Sequence, residues 1–397
     1  MIQPLSAGIL AAVVGFASTF AVVLKGLETV GATQAQAASG LLAVLVVKGG
    51  LAVWLGWRSR IPISIAWSTP GAALLAASSL PVGGFSVAVG AFLTSAALIV
   101  LAGIWRPFGR AVEAIPTSLA AAMLAGILFS LCTAPVRAAA ALPALALPVI
   151  FAWAFALRFA RPYAVPLAVL LTAIVVALAT PLPPGAMASI APHPVFVAPA
   201  FSLDATIGIA LPLFIVTMAS QNVPGLAVLA ANGYRPAVGA TFVWTGLGSA
   251  LAALFGAHAM NLAAITAALC AGPEAHPNPA RRWIASVACG ATYILLGLTA
   301  AAAAAFVAAS PPLLIESVAG LALLGSLAGA LQGAMAQERD RIPAIVTFVT
   351  AASGTSFLGI GAAFWGLVAG GVLLAILRFP AAGTVLSSTG TNPGTRP

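Results

Sequence analysis

The sequence predicts an all-α polytopic membrane protein: fourteen transmembrane segments as two inverted seven-segment repeats, with short extended stretches and half-helices in segments three and ten. Three observations carry this. Of 397 residues, 62% are hydrophobic and 6% charged, and the mean hydropathy is +1.12; a soluble domain carries about 25% charged residues. The basic residues sort to one side when each apolar run is given one crossing. Two runs break the helical pattern at matching places in the two halves.

Gly, Pro and Arg interrupt the apolar runs and set the segments. The first seven are expected at Ala7–Leu27, Ala32–Trp57, Ile63–Ser78, Phe85–Ile104, Ile115–Leu131, Leu142–Phe159 and Tyr163–Ala179. The second seven follow at Leu203–Ala231, Val238–Phe255, His258–Ala271, Trp283–Ala309, Leu313–Met335, Ile342–Ser356 and Leu358–Phe379. With one crossing each, thirteen of the sixteen basic residues fall on one face, which the positive-inside rule makes cytoplasmic together with both termini. Arg137 and Lys25 fall on the other face, and Lys48 lies within segment two. A miscounted segment would scramble that sorting.

Segment three opens as Ile61-Pro62-Ile63-Ser64-Ile65, extended and rich in β-branched residues, then reads Ser68-Thr69-Pro70-Gly71. Thr before Pro is a helix-start signal, with Thr69 as N-cap and Pro70 at the first helical position. Segment ten lies in Phe255–Pro279 and is shorter than the ~20 apolar residues a crossing helix needs. Its expected form is an extended start through Met260, with Asn261 capping a half-helix. His258 and Asn261 at hydrocarbon depth cost several kcal/mol unless protein or a wet cavity surrounds them. Segments three and ten stand seven apart, and seven segments per repeat force the halves into opposite orientation.

The Pro-rich stretch Thr180–Ser202, with His193, reads as a solvated linker between the halves on the non-cytoplasmic side. The Gly/Ser/Thr-rich end from Gly383 reads as disordered. No cleavable signal peptide is expected, because the N-terminus lacks a basic region before its first apolar run. The net charge of +9 is scattered in ones and twos, so it carries topology information and offers no stripe for nucleic acid. Cys132, Cys270 and Cys289 sit in apolar surroundings and read as packing residues. No metal site or cofactor is expected.

Two half-helices starting at mid-membrane from opposite sides would turn their positive ends toward each other and favour an anion, most naturally a carboxylate. Ser68 and Thr69 on one side, and His258, Asn261 and Thr266 on the other, are the side chains that would orient it. For Ser68 and Thr69, capping without ligand contact is the equal alternative. In segment eight, Ser220, Gln221 and Asn222 fall near the bilayer centre and must face protein or cavity, and Pro224 would kink the helix and free a carbonyl. The competing reading is an amide clamp between helices that binds nothing. His258 is the titratable group placed closest to the site, near its ordinary midpoint of about 6.5, so proton and carboxylate could load together.

The acids argue by position. Glu113, Glu274, Glu338 and Asp340 map to cytoplasmic loops, and Asp204 and Glu316 to outer ends of segments. None is expected beside the ligand, which disfavours a cation substrate. Glu28 stands three residues from Lys25, a spacing that allows a helical pair. Lys48 either snorkels or pairs within the bundle. Glu274 and His276 form either an inner gate or, more simply, a solvated turn.

At Met218–Pro236 (MASQNVPGLAVLAANGYRP) and Gly256–Pro279 (GAHAMNLAAITAALCAGPEAHPNP) the chain resembles the benzoate:proton symporter family of bacterial inner membranes. The resemblance extends from the first segment to about Phe379. That family is similar in architecture to uracil-type nucleobase permeases. The resemblance implies a core domain of residues 1–112 and 203–309 and a gate domain of residues 113–180 and 310–380. Residues 181–202 would be a periplasmic linker and 381–397 a disordered tail. It also implies substrate between segments three and ten, with Gln221 facing it and His258 where the permeases carry an acid. Phe16 and Phe20 would supply an aromatic wall, or pack.

The function expected is import of benzoate or a related aromatic carboxylate with a proton by alternating access, with the lipid bilayer as the only other partner. The oligomeric state stays open, a homodimer among the options. The alternatives are a transporter of the same fold for a nucleobase or an inorganic anion, and an integral-membrane enzyme. An enzyme would need clustered His, Asp, Glu or Cys at a membrane surface, which these short loops do not supply.

Overall fold

A backbone in lipid must satisfy its N–H and C=O groups within its own segment, and the apolar runs of this chain accordingly form helices. The computed structural model describes residues 2–105, 107, 116–179, 192–263, 265–273, 275–357 and 360–378. The first half contains α1 (Ile2–Thr29), α2 (Gln34–Ser59), β1 (Ile65–Trp67), α3 (Thr69–Ala76), α4 (Phe85–Ile104), α5 (Thr117–Cys132), α6 (Ala134–Ala141), α7 (Pro143–Phe159) and α8 (Ala164–Ala179). The second contains α9 (Leu203–Ala231), α10 (Val238–Ala253), β2 (Met260–Leu262), α11 (Ile265–Ala271), α12 (Trp283–Gly297) and α13 (Ala300–Ala309). It ends with α14 (Pro312–Met335), α15 (Arg341–Ala352), β3 (Ser356–Phe357), β4 (Ile360–Gly361) and α16 (Ala362–Arg378). Among the described residues, six helical stretches are long and apolar enough to cross a membrane, or seven if the bent α12–α13 pair is one span.

Local chemistry sets the element ends. A capping box starts α2: the Thr33 hydroxyl accepts from the Gln36 N–H at 3.3 Å and the Gln36 side chain accepts from the Thr33 N–H at 2.9 Å. Segment eleven, expected as one helix, is bent by 59° before α13. At the joint the Leu298 and Thr299 N–H groups bond three residues back, and the Thr299 hydroxyl takes the Leu296 carbonyl at 2.7 Å. That carbonyl is thereby drawn out of the regular ladder. Within α9, residues Thr206–Ala210 and Met218–Asn222 wind as π-helical turns. Each precedes a proline, Pro212 and Pro224, whose missing N–H leaves a carbonyl four residues back without its helical partner.

Helices α2 and α12 pack against each other, as do α4 and α10, and each contact is made through a pair of glycines. A Cβ on Gly49 would lie 2.5 Å from the Gly290 carbonyl oxygen, and one on Gly290 would lie 2.6 Å from that of Gly49. Gly103 and Gly239 stand in the same reciprocal relation, 2.6 Å each way. Small residues let helix backbones touch where lipid supplies no hydrophobic drive for association. Helix α5 packs on α14, and α15 on α16.

Two readings that the sequence leaves open are decided, and one element is new. Lys25 pairs with Glu316 on α14 at 3.2 Å instead of with Glu28, and Arg137 approaches the same carboxylate at 3.6 Å; a partner across the helix interface outcompetes the one along the helix. Lys48 does not snorkel: it is 1% exposed. The two-stranded β3–β4 pairing was not expected, because the sequence there reads as the end of one helix and the start of the next. Arg106, Arg110, Glu113, Glu274, residues 180–191 and the 381–397 tail lie outside the described residues. His193 is exposed.

Candidate functional site

The two irregular stretches meet. Strands β1 and β2 pair antiparallel in the register Ile65–Leu262, Ala66–Asn261 and Trp67–Met260. The ladder continues at both ends, from the Ser68 N–H to the Ala259 carbonyl and from the Ala263 N–H to the Ser64 carbonyl, each 2.9 Å. A strand inside a helical membrane protein leaves its outer edge unpaired, and in lipid that edge needs partners. Side chains provide them for β2: Ser249 of α10 accepts from the Met260 N–H and Asn222 of α9 from the Leu262 N–H, both at 2.8 Å.

The helix that follows β1 begins one residue earlier than expected. Its cap is Ser68, whose hydroxyl accepts from the Gly71 N–H at 3.1 Å and shares a hydrogen bond with the Thr217 hydroxyl at 2.7 Å. Thr69, expected as the cap, is the first helical residue and half-buried. Asn261, expected to cap the second half-helix, sits instead inside β2, and α11 starts at Ile265. The strand pairing claims the Asn261 backbone, so the helix start moves downstream.

His258 is buried, and its Nε2 lies 3.0 Å from the Ser68 carbonyl. The imidazole thus ties the stretch before β2 to the cap of α3. Its Nδ1, both polar side-chain atoms of Asn261 and the Thr266 hydroxyl are buried without a hydrogen-bond partner among the described residues. Buried polar atoms are satisfied in the great majority of cases; these orphans lie on and beside β2, and the Ser95 and Ser317 hydroxyls are orphaned on other helices.

Gln221 and Asn222 part company. Asn222 is fully buried, with Oδ1 on the Leu262 N–H and Nδ2 3.0 Å from the Met218 sulfur, so it is the clamp of the competing reading. Gln221 lines a cavity of about 460 Å³ with Pro70 and Pro224, facing Thr117 of α5 and Ser326 and Ala330 of α14. That volume is in the range of small-molecule sites. On α1, Phe16 stacks on Phe20 with centroids 5.1 Å apart and lies 6.2 Å from the Trp67 ring. The Trp67 indole N–H donates to the Thr19 hydroxyl at 2.9 Å. An aromatic wall therefore stands against the end of β1.

No signal in the sequence singles out Thr217, Ser249 or Trp67, since hydroxyls and tryptophans are common in membrane segments. Lys48 did carry one, a charge within an apolar run. Its Nζ lies 3.5 Å above the Trp67 ring centroid and 3.6 Å from that of Tyr293.

Comparison with known proteins bears on the family and the fold. The BenE family, described as benzoate membrane transport protein, matches residues 2–376. The chain is 40% identical over 377 residues to the inner membrane protein YdcO of Escherichia coli K12, covering 94% of this chain and 95% of that protein. It is 32% identical over 376 residues to the benzoate membrane transport protein of Acinetobacter baylyi, covering 95% of each. Among solved structures, the murine Slc26a9 anion transporter in its inward-facing state matches with a TM-score of 0.61 at 16% identity, over 95% of this chain and 68% of that one. The transmembrane domain of the cyanobacterial bicarbonate transporter BicA matches at 0.55 and 14%, over 95% and 98%. At such identities the likeness is one of fold. A match along almost the whole length, at 32% identity or better to two curated relatives, places the chain in the benzoate membrane transport (BenE) family.

Proposed function

We propose that this protein imports benzoate or a related aromatic carboxylate together with a proton, by alternating access across a bacterial inner membrane with both termini cytoplasmic. The substrate occupies the ground between the β1–β2 crossing and Gln221. Ser68, Thr69, His258, Asn261 and Thr266 orient it, Phe16 lines it, and Asn222 holds β2 in register. The proton enters the same polar cluster around His258. The observation that carries this reading is the set of orphaned imidazole, amide and hydroxyl atoms on and beside β2; the cavity lined by Gln221 reaches Pro70, two residues past the Ser68 cap that His258 contacts.

The architecture proposed is fourteen segments in two inverted repeats of seven. The antiparallel pairing of β1 with β2 supports it, as do the reciprocal glycine contacts of α2 with α12 and of α4 with α10. Residues 1–112 and 203–309 form the core that carries the site, and residues 113–180 and 310–380 the gate it moves against. The Gln221 cavity lies between these two groups of helices, where alternating access needs it.

A same-fold transporter of an inorganic anion is the second reading, favoured by the anion and bicarbonate transporters that share the fold. Uptake of labelled benzoate into proteoliposomes separates the two. Substituted benzoates should compete while uracil and sulfate do not, and accumulation should require an acid-outside pH gradient. Equal competition by sulfate or uracil, or accumulation indifferent to the gradient, would overturn the proposal.

A further inference from the structure

Lys48 is the buried cation that the site as described leaves unused. It lies fourteen residues from Gln34 and eleven from Ser59 along α2, about 21 and 16 Å from the helix ends at 1.5 Å per residue. Its side chain is buried there, 1% exposed. Every ion pair among the described residues is made elsewhere, by Lys25, Arg137, Arg341 and Arg378. Lys48 has instead two aromatic faces, Trp67 and Tyr293. A cation–π contact contributes about 0.5–2 kcal/mol, whereas an unpaired buried ion costs several kcal/mol. The two rings offset part of the cost of an ammonium, and a nearby anion would have to supply the rest.

Both rings lead from Lys48 to the proposed site. Trp67 closes β1 immediately before the Ser68 cap, and its other contacts are Thr19 and Phe16 on α1. The Tyr293 hydroxyl fills the space where a side chain on Gly15 would stand, and the Thr266 methyl borders that space at 3.2 Å. The titratable groups around Lys48 are Cys289 and Tyr293 from α12, Cys270 from α11 beside Cys289, and His258 ahead of β2. Helices α10 and α13, which also pack on α2, bring none. Helix α1 brings Lys25 and Glu28, near the end where Lys25 meets Glu316. Among the described residues no carboxylate pairs with Lys48, and an anionic cargo is the natural source of the balancing charge.

We propose that Lys48 holds the proton that travels with the carboxylate, an inference that rests on the anion-import reading above. On loading, a proton adds to the Nζ lone pair as the anion enters the adjoining site; on release, the anion departs and the proton leaves Nζ for water on the inner side. Charge enters and leaves the interior as a pair. Lys48 thereby takes the proton in place of His258 within the cluster the import reading assigns, and His258 serves as a positioning residue, its Nε2 committed to the Ser68 carbonyl.

Calorimetric titration of the purified full chain with benzoate, in two buffers of different ionisation enthalpy, counts protons taken up on binding. Wild type should take up about one proton per benzoate. Lys48→Gln should bind at least tenfold more weakly, with no uptake. Lys48→Arg, permanently charged, should bind without proton uptake, and it carries the test if the glutamine variant does not fold. Zero uptake by wild type would overturn the proposal, and so would uptake retained in either variant. Uptake retained in Lys48→Gln but lost in His258→Gln would move the proton to the imidazole. Absence of benzoate binding to wild type would remove the import reading and this inference with it, whereas binding with misplaced proton uptake removes the inference alone.

Discussion

At Gln221 and Asn222 the chain sets two amides side by side and gives only one of them a backbone partner. Asn222→Ala strands the buried Leu262 N–H, which costs about 1–3 kcal/mol, and should lower the thermal midpoint in detergent. Gln221→Ala removes a group at the cavity wall and should leave that midpoint unchanged while weakening benzoate binding about tenfold, a loss near 1.4 kcal/mol. Equal loss of stability in both variants would show that the amides share one structural duty. The sequence announced polar residues at this depth but not which amide does what. Successive helical residues point about 100° apart, and the π-turn shifts the phase that would otherwise assign them. Ser68 and Thr69 exchanged the cap for a similar reason: either hydroxyl could do it, and the Thr217 contact on α9 favours Ser68. Lys48 was visible as a charge out of place, but its two aromatic partners come from distant parts of the chain and only the fold brings them together.

Two extended starts preceding short helices were legible; that they pair as strands was not. The register was not legible either, since it depends on Ser249 and Asn222 completing the outer edge of β2. The same limit explains Asn261, which reads as a cap by residue type but is held in a strand by Ala66. On α9 the prolines gave fair warning of irregularity. Pro224→Ala restores an N–H for the Ser220 carbonyl, and we expect the π-turn to relax toward an α-helix. Gln221 would then rotate away from the cavity, and uptake should fall at least tenfold, with ~1 kcal/mol or more gained in stability from the recovered helical bond. An unchanged uptake rate would show that the turn does not aim Gln221. The glycine contact of α2 with α12 makes a sharper demand. Gly290→Val puts a branched side chain against the Gly49 carbonyl and should cost about 1–3 kcal/mol through forced separation, read as a lower thermal midpoint; retention of the wild-type midpoint would contradict so close a contact.

Across the whole molecule, the one ion-pair cluster among the described residues that joins α1 to α6 and α14 is Lys25 and Arg137 on Glu316. The Lys25 and Glu316 side chains are 37% and 22% exposed, so the pair is worth about 0.2–1 kcal/mol. That is too little to hold a protein together, but enough to shift a balanced two-state equilibrium by up to about fivefold. Glu316→Gln should therefore change the rate of benzoate exchange by a factor of that order and leave its equilibrium affinity within twofold; a change above tenfold in affinity would place the cluster in the binding site instead. The helical composition was readable from hydropathy alone, because it follows from the cost of polar groups in lipid; charge sorting put Lys25 and Arg137 on one face, and both meet Glu316. The bend between α12 and α13 was not readable: Gly297 stands at the joint, but a single glycine inside an apolar run is common in membrane helices and does not by itself announce a bend.

The account stands or falls on where an aromatic carboxylate sits. The most direct measurement is an experimental structure of the protein in lipid nanodiscs with benzoate at saturating concentration. The account predicts density for one ring beside the Ser68–Pro70 turn, with its carboxylate toward the β1–β2 crossing and Gln221 within hydrogen-bond reach. Density at the Lys25–Glu316–Arg137 cluster instead, or a crossing that stays empty while benzoate binds elsewhere, would contradict it.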